Sequence, residues 1–171
     1  GGMQLFRSEF SDRSEKILPR VSQIAAGILY AYTLFTILGY AGLSFFGMSS
    51  FDAFCHSASA ISTGGLSTRS EGLIAFDNVA IEAVLILLMI IGGSTLMLYI
   101  RLWQGDYKSV IRDQQLKGYL LTLVLACASL SLCLLIQGKT LLNSLRMGCF
   151  VAVSTLTSTG FVLFNYMDFG S

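Results

Sequence analysis

Between Arg20 and Asp52 the chain carries no charged side chain, and residues 21–46 are dense in Leu, Ile, Ala, Tyr and Phe. Crossing the hydrocarbon core of a bilayer takes ~20 helical residues, so this stretch predicts a first spanning helix. The uncharged run 83–100 predicts a second span ending near Trp103. Asp77 and Asn78 are its expected N-terminal caps, and Glu82 lies in the first turn, where the helix dipole favours an acid. Residues 118–138 predict a third. The Gly92-Gly93 pair in the second span costs helix propensity, which points to close packing against a neighbouring helix rather than to a hinge. With 54% hydrophobic and only 12% charged residues, the chain as a whole is too apolar for a soluble domain. Its net charge of +1 and lack of a basic face exclude a nucleic-acid partner.

The basic residues orient the spans, because cytoplasmic loops carry the excess of Lys and Arg. Arg7, Arg13, Lys16 and Arg20 precede the first span, and Arg101, Lys108, Arg112 and Lys117 follow the second. Only Arg69, Lys139 and Arg146 lie elsewhere. The expected organisation is therefore a cytoplasmic N-terminal segment (1–19), a complete repeat (20–103), a cytoplasmic loop (104–116) and an incomplete second repeat (117–171). The first 20 residues lack the apolar core and cleavage site of a signal peptide. Cys55, Cys127, Cys133 and Cys149 show no metal-ligand spacing and read as small packing residues.

An internal repeat underlies that division. With Gly65 set over Gly160, "HSASAISTGGLS" (56–67) lies over "VAVSTLTSTGFV" (151–162), matching Ser59 to Ser154, Ile61 to Leu156 and Leu66 to Phe161. Each copy follows a span on the outer side and is preceded by an apolar stretch, 51–61 and 145–156, too short to cross a bilayer. Residues 147–167 also contain no charge, but "STLTSTG" would put a run of hydroxyl residues at mid-membrane. Irregular backbone at that depth is tolerated where it lines a watery cavity. The pattern is that of re-entrant pore loops, and the fold class expected is an all-α membrane protein of helix, pore loop, helix repeats. Backbone carbonyls of such a loop can replace the hydration of a monovalent cation. Glycine allows positive φ and close backbone approach, which singles out Gly65 and Gly160. Each preceding short helix would aim its negative C-terminal end at the ion.

Together, "GGMQLFRSE", "HSASAISTGGLSTRS", "IIGGSTLMLYIRLW" and "STLTSTGF" resemble the membrane subunits of the bacterial Trk/Ktr potassium-uptake family, the Trk type most closely. The resemblance covers essentially the whole chain. It implies a subunit of four covalently linked repeats around one pore, of which this chain would be a fragment: the whole second repeat and the third as far as its pore loop. Carried over by position, it makes Ser62, Thr63, Gly64 and Gly65 one stretch of selectivity filter and Thr157, Ser158, Thr159 and Gly160 another, their carbonyls ligating K+. With a single shared glycine per loop, fewer well-formed ion sites are expected than in a channel with the longer TVGYG filter. The resemblance also implies K+ as the transported ion without an organic cofactor, a homodimer of full-length subunits in the bacterial cytoplasmic membrane, and a separate cytosolic nucleotide-binding ring as regulator.

Other residues have plainer readings. His56, the only histidine, is expected to make a satisfied polar or packing contact. Asp52 reads as a helix-dipole partner and Arg69 as a solvated outer-loop charge. "QGKT" (137–140) ends like a phosphate-binding loop, but Cys133 stands where that motif needs its first glycine. A rival class is an intramembrane serine hydrolase, which needs a base within hydrogen-bond reach of its nucleophile. His56 shares one short segment with Ser57, Ser59 and Ser62, a poor geometry for that. A non-conducting structural subunit is the third class, and ion flux distinguishes it from a transporter.

Overall fold

The computed structural model describes residues 2–70, 72–76, 78–95, 97–103 and 105–163, and every regular element among them is helical. Helix α1 (Gly2–Phe45) joins the expected N-terminal segment and first span in one rod, of which Ser22–Phe45 is apolar and long enough to cross a membrane. It stops where Gly47, at φ +96°, lets Met48 N–H reach the Leu43 carbonyl and Gly47 N–H that of Ser44. This paired arrangement satisfies carbonyls that the helix end leaves open. Helix α2 (Ser50–Ile61) starts at once, its Asp52 N–H donating to the Ser49 hydroxyl. A short 3-10 helix (Gly72–Phe76) leads to α3 (Val79–Gly93). Asn78 caps α3 by accepting from Ala80 N–H at 2.9 Å; Asp77, expected to share that role, lies outside the described residues.

The expected second span is not one helix. Helix α3 ends at Gly93 after 15 residues, about 22 Å of rise, and α4 (Met97–Trp103) resumes beyond the break. The predicted close packing of the glycine pair is present, and it sits at the break itself. A Cβ on Gly92 would lie 2.4 Å from the Ile61 carbonyl oxygen, and one on Gly93 would press on Thr157 and Tyr119. Carbonyls released there find new donors: the Ile91 oxygen accepts from the Ser94 backbone N–H and from the Ser94 and Tyr99 hydroxyls, and the Ile90 oxygen from the Tyr119 hydroxyl. An apolar setting demands this, since an unpaired backbone group there costs several kcal/mol.

Helix α5 (Tyr107–Arg112) leads to α6 (Gln114–Ile136), the second helix long enough to span, which ends at Gly138 with the same pair of bonds as α1. Helix α7 (Leu141–Leu156) follows. Helices α2 and α7 end at equivalent positions, Ile61 and Leu156, although α2 has 12 residues and α7 has 16. The two copies therefore coincide at the loop and differ by a turn at the start of the helix.

Both continuous spans turn apolar side chains outward. Leu29, Ile37, Leu38 and Phe45 on α1, and Leu121, Val124, Leu125 and Ile136 on α6, are exposed. The core instead lies where the copies meet, and includes Leu43, Ile61, Leu85, Met89, Phe150, Val153 and Phe161. Glu82, buried on α3, receives a two-pronged ion pair from Arg146 on α7, with Arg146 Nε 2.7 Å from Glu82 Oε2. Arg146 is thus a bolt between the copies.

Gly92→Ala should lower stability by about 2–3 kcal/mol through overpacking against α2. Gly118→Ala, at an exposed helical site with nothing within 4 Å of the added methyl, should raise it by about 1 kcal/mol. Thermal unfolding in detergent reads both, and equal shifts for the two variants would contradict the packing described.

Candidate ion-coordinating loops

Each short helix ends in a loop of the same backbone shape. Ser62 and Thr157, which close α2 and α7, have φ of -78°. Thr63 and Ser158 are the only non-glycine residues at positive φ among those described, at 52° and 58°, and Gly65 and Gly160 lie at 65° and 78°. Gly64 and Thr159 are absent from that left-handed set, so φ alternates in sign through 62–65 and again through 157–160. Alternating handedness turns successive peptide planes the same way, in contrast to a strand, whose carbonyls point to opposite sides. The local N–H groups are meanwhile drawn back to the helix ends: Gly64 N–H to the Ser59 carbonyl, Thr63 N–H to Ala60, Ser158 N–H to Thr155 and Gly160 N–H to Ser154.

Loop hydroxyls are engaged in the same direction. Thr157 Oγ1 donates to the Val153 carbonyl at 2.8 Å and pairs with Thr159 Oγ1, both residues being buried. Ser59 and Ser154, equivalent in the repeat, fasten the far end of each loop seven residues on. Ser59 Oγ accepts from Leu66 N–H at 2.7 Å, and Ser154 Oγ donates to the Phe161 carbonyl at 2.9 Å. Among the described residues, no carbonyl oxygen of 62–65 or 157–160 accepts a hydrogen bond. Ser62, Gly64, Ser158 and Gly160 are exposed, Thr63 and Gly65 half-buried, and Thr157 and Thr159 buried. Two runs of carbonyls free of protein hydrogen bonds thus lie at the negative ends of two helices.

The two loops touch. A Cβ on Gly65 would fall 1.9 Å from the Thr159 carbonyl oxygen, so only glycine fits there on grounds of space as well as of φ. At Gly160 no described atom comes within 4 Å of that position, and its requirement is conformational. Leu73 N–H donates to the Val162 carbonyl at 3.2 Å and ties the copies once more beyond the loops.

The segment leaving the first loop is clamped to its own helix. Asp52, only 4% exposed, accepts from the Thr68 hydroxyl at 2.6 Å and from Arg69 Nη2 at 2.8 Å. Arg69 also lies over the Phe76 ring, which corrects its reading as a purely solvated charge. The bonds from Thr68, then Arg69 and Ser49, hold the Asp52 carboxyl down at about 2 despite its burial. His56 is fully buried, with Nδ1 2.8 Å from the Asp52 carbonyl oxygen and Nε2 3.0 Å from Ser67 Oγ. Its serine partner is therefore Ser67, and not Ser57, Ser59 or Ser62. Because the Asp52 carboxylate is committed to Thr68 and Arg69, it does not orient the imidazole as a catalytic triad requires. Asp52 and Arg69 are the only charges between Arg20 and Glu71, and that isolation was the available signal for their pairing. The four cysteines are free thiols; Cys55, Cys127 and Cys149 are half-buried, whereas Cys133, expected as a packing residue, is exposed.

Both the sequence and the fold have known relatives. The family model described as TrkH, cation transport protein, matches residues 1–171. The Trk system potassium uptake protein TrkI of Halomonas elongata is 34% identical over 172 residues, covering 100% of this chain and 35% of that protein. TrkH of Escherichia coli K12 is 32% identical over 167 residues, covering 94% and 34%. The crystal structure of the potassium transporter TrkH from Vibrio parahaemolyticus superposes with a TM-score of 0.81 at 26% identity, over 85% of this chain and 32% of that one. The chain spans about a third of the length of these relatives.

A carboxyl whose folded pKa lies below its ordinary 3.8 contributes stability that is full above about pH 4 and is lost as the pH falls toward 2. Asp52→Asn should therefore flatten the fall in thermal midpoint between pH 5 and pH 2. An unchanged slope would show that the clamp does not hold in solution.

Proposed function

Because the chain belongs to the TrkH family of cation transport proteins, we propose that it forms part of the K+ pathway of a potassium-uptake protein, with the carbonyls of Ser62, Thr63, Gly64 and Gly65 and of Thr157, Ser158, Thr159 and Gly160 as ligands to the dehydrated ion. The observation that carries this reading is the pair of loops with alternating φ and carbonyls free of hydrogen bonds. Carbonyl dipoles offset the loss of hydration without the full charge that would trap the ion. The C-terminal ends of α2 and α7 add a partial negative charge at the same place. The Ser62 and Thr157 hydroxyls are bonded back into their own helices and Thr159 pairs with Thr157, which favours the backbone as the ligand set.

On this reading the remaining walls of the pore come from further repeats of the same subunit, since loops from two repeats flank an ion without surrounding it. The loops face the outside of the cytoplasmic membrane, and the basic loop bearing Lys108, Arg112 and Lys117 faces the cytoplasm, in accord with the positive-inside rule. The family resemblance adds a homodimer of subunits and a cytosolic nucleotide-binding ring as regulator. The transported ion is the only small ligand this mechanism uses. Its chemistry is passage of an ion through dipoles and involves no bond making, so the reading is of a transporter and not of an enzyme.

The test is K+ and Na+ flux in K+-starved cells or liposomes, using the complete transporter subunit that carries these residues. Gly65→Ser, which collides with the Thr159 carbonyl, and Gly160→Ser, which must hold a positive φ at a cost of ~1–2 kcal/mol, should each lower K+ over Na+ preference about ten-fold or abolish uptake. Cys127→Ala should leave both unchanged. Unaltered selectivity in a Gly65→Ser protein that inserts normally would reduce the first loop to an outer turn.

A further inference from the structure

The imidazole of His56 sits where the two candidate filter loops are joined, and its surroundings specify how it is used. Nδ1 faces the Asp52 carbonyl oxygen, which can only accept, so the proton is assigned to Nδ1 from its partner. Nε2 is then free to accept from the Ser67 hydroxyl, whose oxygen in turn accepts from Arg69 N–H at 3.2 Å. In this form each polar atom of the imidazole and of the Ser67 side chain has a partner. The charged groups nearby, the Asp52 carboxylate and the Arg69 guanidinium, are paired with one another. The ring's apolar surface is used as well. Phe76 meets it edge-on at 5.5 Å, and Phe161, next in sequence to Gly160, stacks on it at 5.9 Å with 26° between the planes.

The repeat makes this site one-sided. Under the register that sets Gly65 over Gly160, the counterparts of Asp52, His56, Ser67 and Thr68 are Met147, Val151, Val162 and Leu163. The second loop therefore lacks the polar clamp of the first. Its exit is held instead by the Ser154 bond to Phe161, by Leu73 N–H on the Val162 carbonyl, and by Phe161 against His56. Two of these three ties run to groups of the first copy.

We propose that His56 is a positioning residue for both loops: through Ser67 it fastens the exit of 62–65 to α2, and through its ring face it seats Phe161 and so sets where 157–160 stands beside it. The proposal rests on the filter reading, because it concerns the spacing of those carbonyls. A carbonyl cage discriminates between K+ and the smaller Na+ by its geometry and stiffness. Loosening one fastening should therefore reduce selectivity before it reduces assembly.

The experiment is a double-mutant cycle on His56 and Ser67 in the complete transporter subunit, reading the K+/Na+ flux ratio and the K+ concentration for half-maximal flux at matched membrane levels. Ser67→Ala deletes one hydroxyl and should lower the ratio about five-fold, as expected for one net hydrogen bond. His56→Phe keeps a ring for Phe161 and should cause a similar loss, with little further change in the doubly substituted protein. His56→Gln, whose amide oxygen can accept from Ser67, should keep more selectivity than His56→Leu, which can neither accept nor stack. Wild-type ratios in Ser67→Ala and His56→Phe, or effects that simply add, would overturn the proposal. Should the His56 variants fail to insert, Ser67→Ala decides it alone. Gly65→Ser in the same assay separates the two claims: if it destroys selectivity while the cycle is flat, only the positioning role fails, and if it is silent, the filter reading fails and takes this proposal with it.

Discussion

The contact on which the arrangement depends is between a glycine and a carbonyl. Gly65 lies so close to Thr159 that a single methyl group would overlap its oxygen. With no side chain between them, the loops stand backbone to backbone, and each helix end can deliver its carbonyls to the same small region. That approach requires the helices behind the loops to be close as well. Gly92 on α3 lies against the last carbonyls of α2, and Gly93 lies against Thr157 at the end of α7. The glycine pair that interrupts the second span is thus what lets α3 fit between the two pore helices.

An apolar surround makes each unpaired backbone group expensive, and the chain meets that demand everywhere around the loops. The ends of α1 and α6 close on Gly47 and Gly138, and the break after α3 is closed by Ser94, Tyr99 and Tyr119. Ser59 and Ser154 take up the groups where the loops end. Against this background the carbonyls of 62–65 and 157–160 stand out as free of protein partners, which is what the proposed ion pathway needs. Irregular backbone at membrane depth persists where it lines a polar cavity, and an ion with its residual water supplies one.

Much of this was legible in the sequence because it follows from local composition. Absence of charge marks a span, a hydroxyl-rich segment between apolar runs marks a re-entrant loop, and the register of the repeat located Gly65 and Gly160 and the shared end of the two pore helices. Hydropathy did not reveal the break at Ser94, since a helix that stops and restarts inside an apolar run leaves the run unchanged. Nor did it reveal the partners of isolated charges. Glu82 is the only charge between Asp77 and Arg101, and an acid in such a setting requires a base, but nothing local chooses Arg146 across 64 positions. His56 had to be satisfied by something. That the donor is Ser67, and that the ring also serves the other copy, depends on how the chain returns after the loop.

The comparison of copies separates what an ion requires from what a loop requires. The sign pattern of φ, a serine hydroxyl fixing the loop's exit, and a helix ending just before it occur in both. All three act on the backbone, as they must if carbonyls are the ligands. The fastenings differ: Asp52, His56, Ser67 and Thr68 on one side stand opposite Met147, Val151, Val162 and Leu163 on the other. A pore made of identical subunits repeats one solution around its axis. Repeats joined in a single chain need share only the backbone geometry, so one loop can be held by a polar side-chain clamp and its neighbour by backbone hydrogen bonds and ring packing against the first. On the proposed reading the second loop takes its stiffness through Phe161, and the polar clamp around His56 steadies both loops and not only the segment it directly touches.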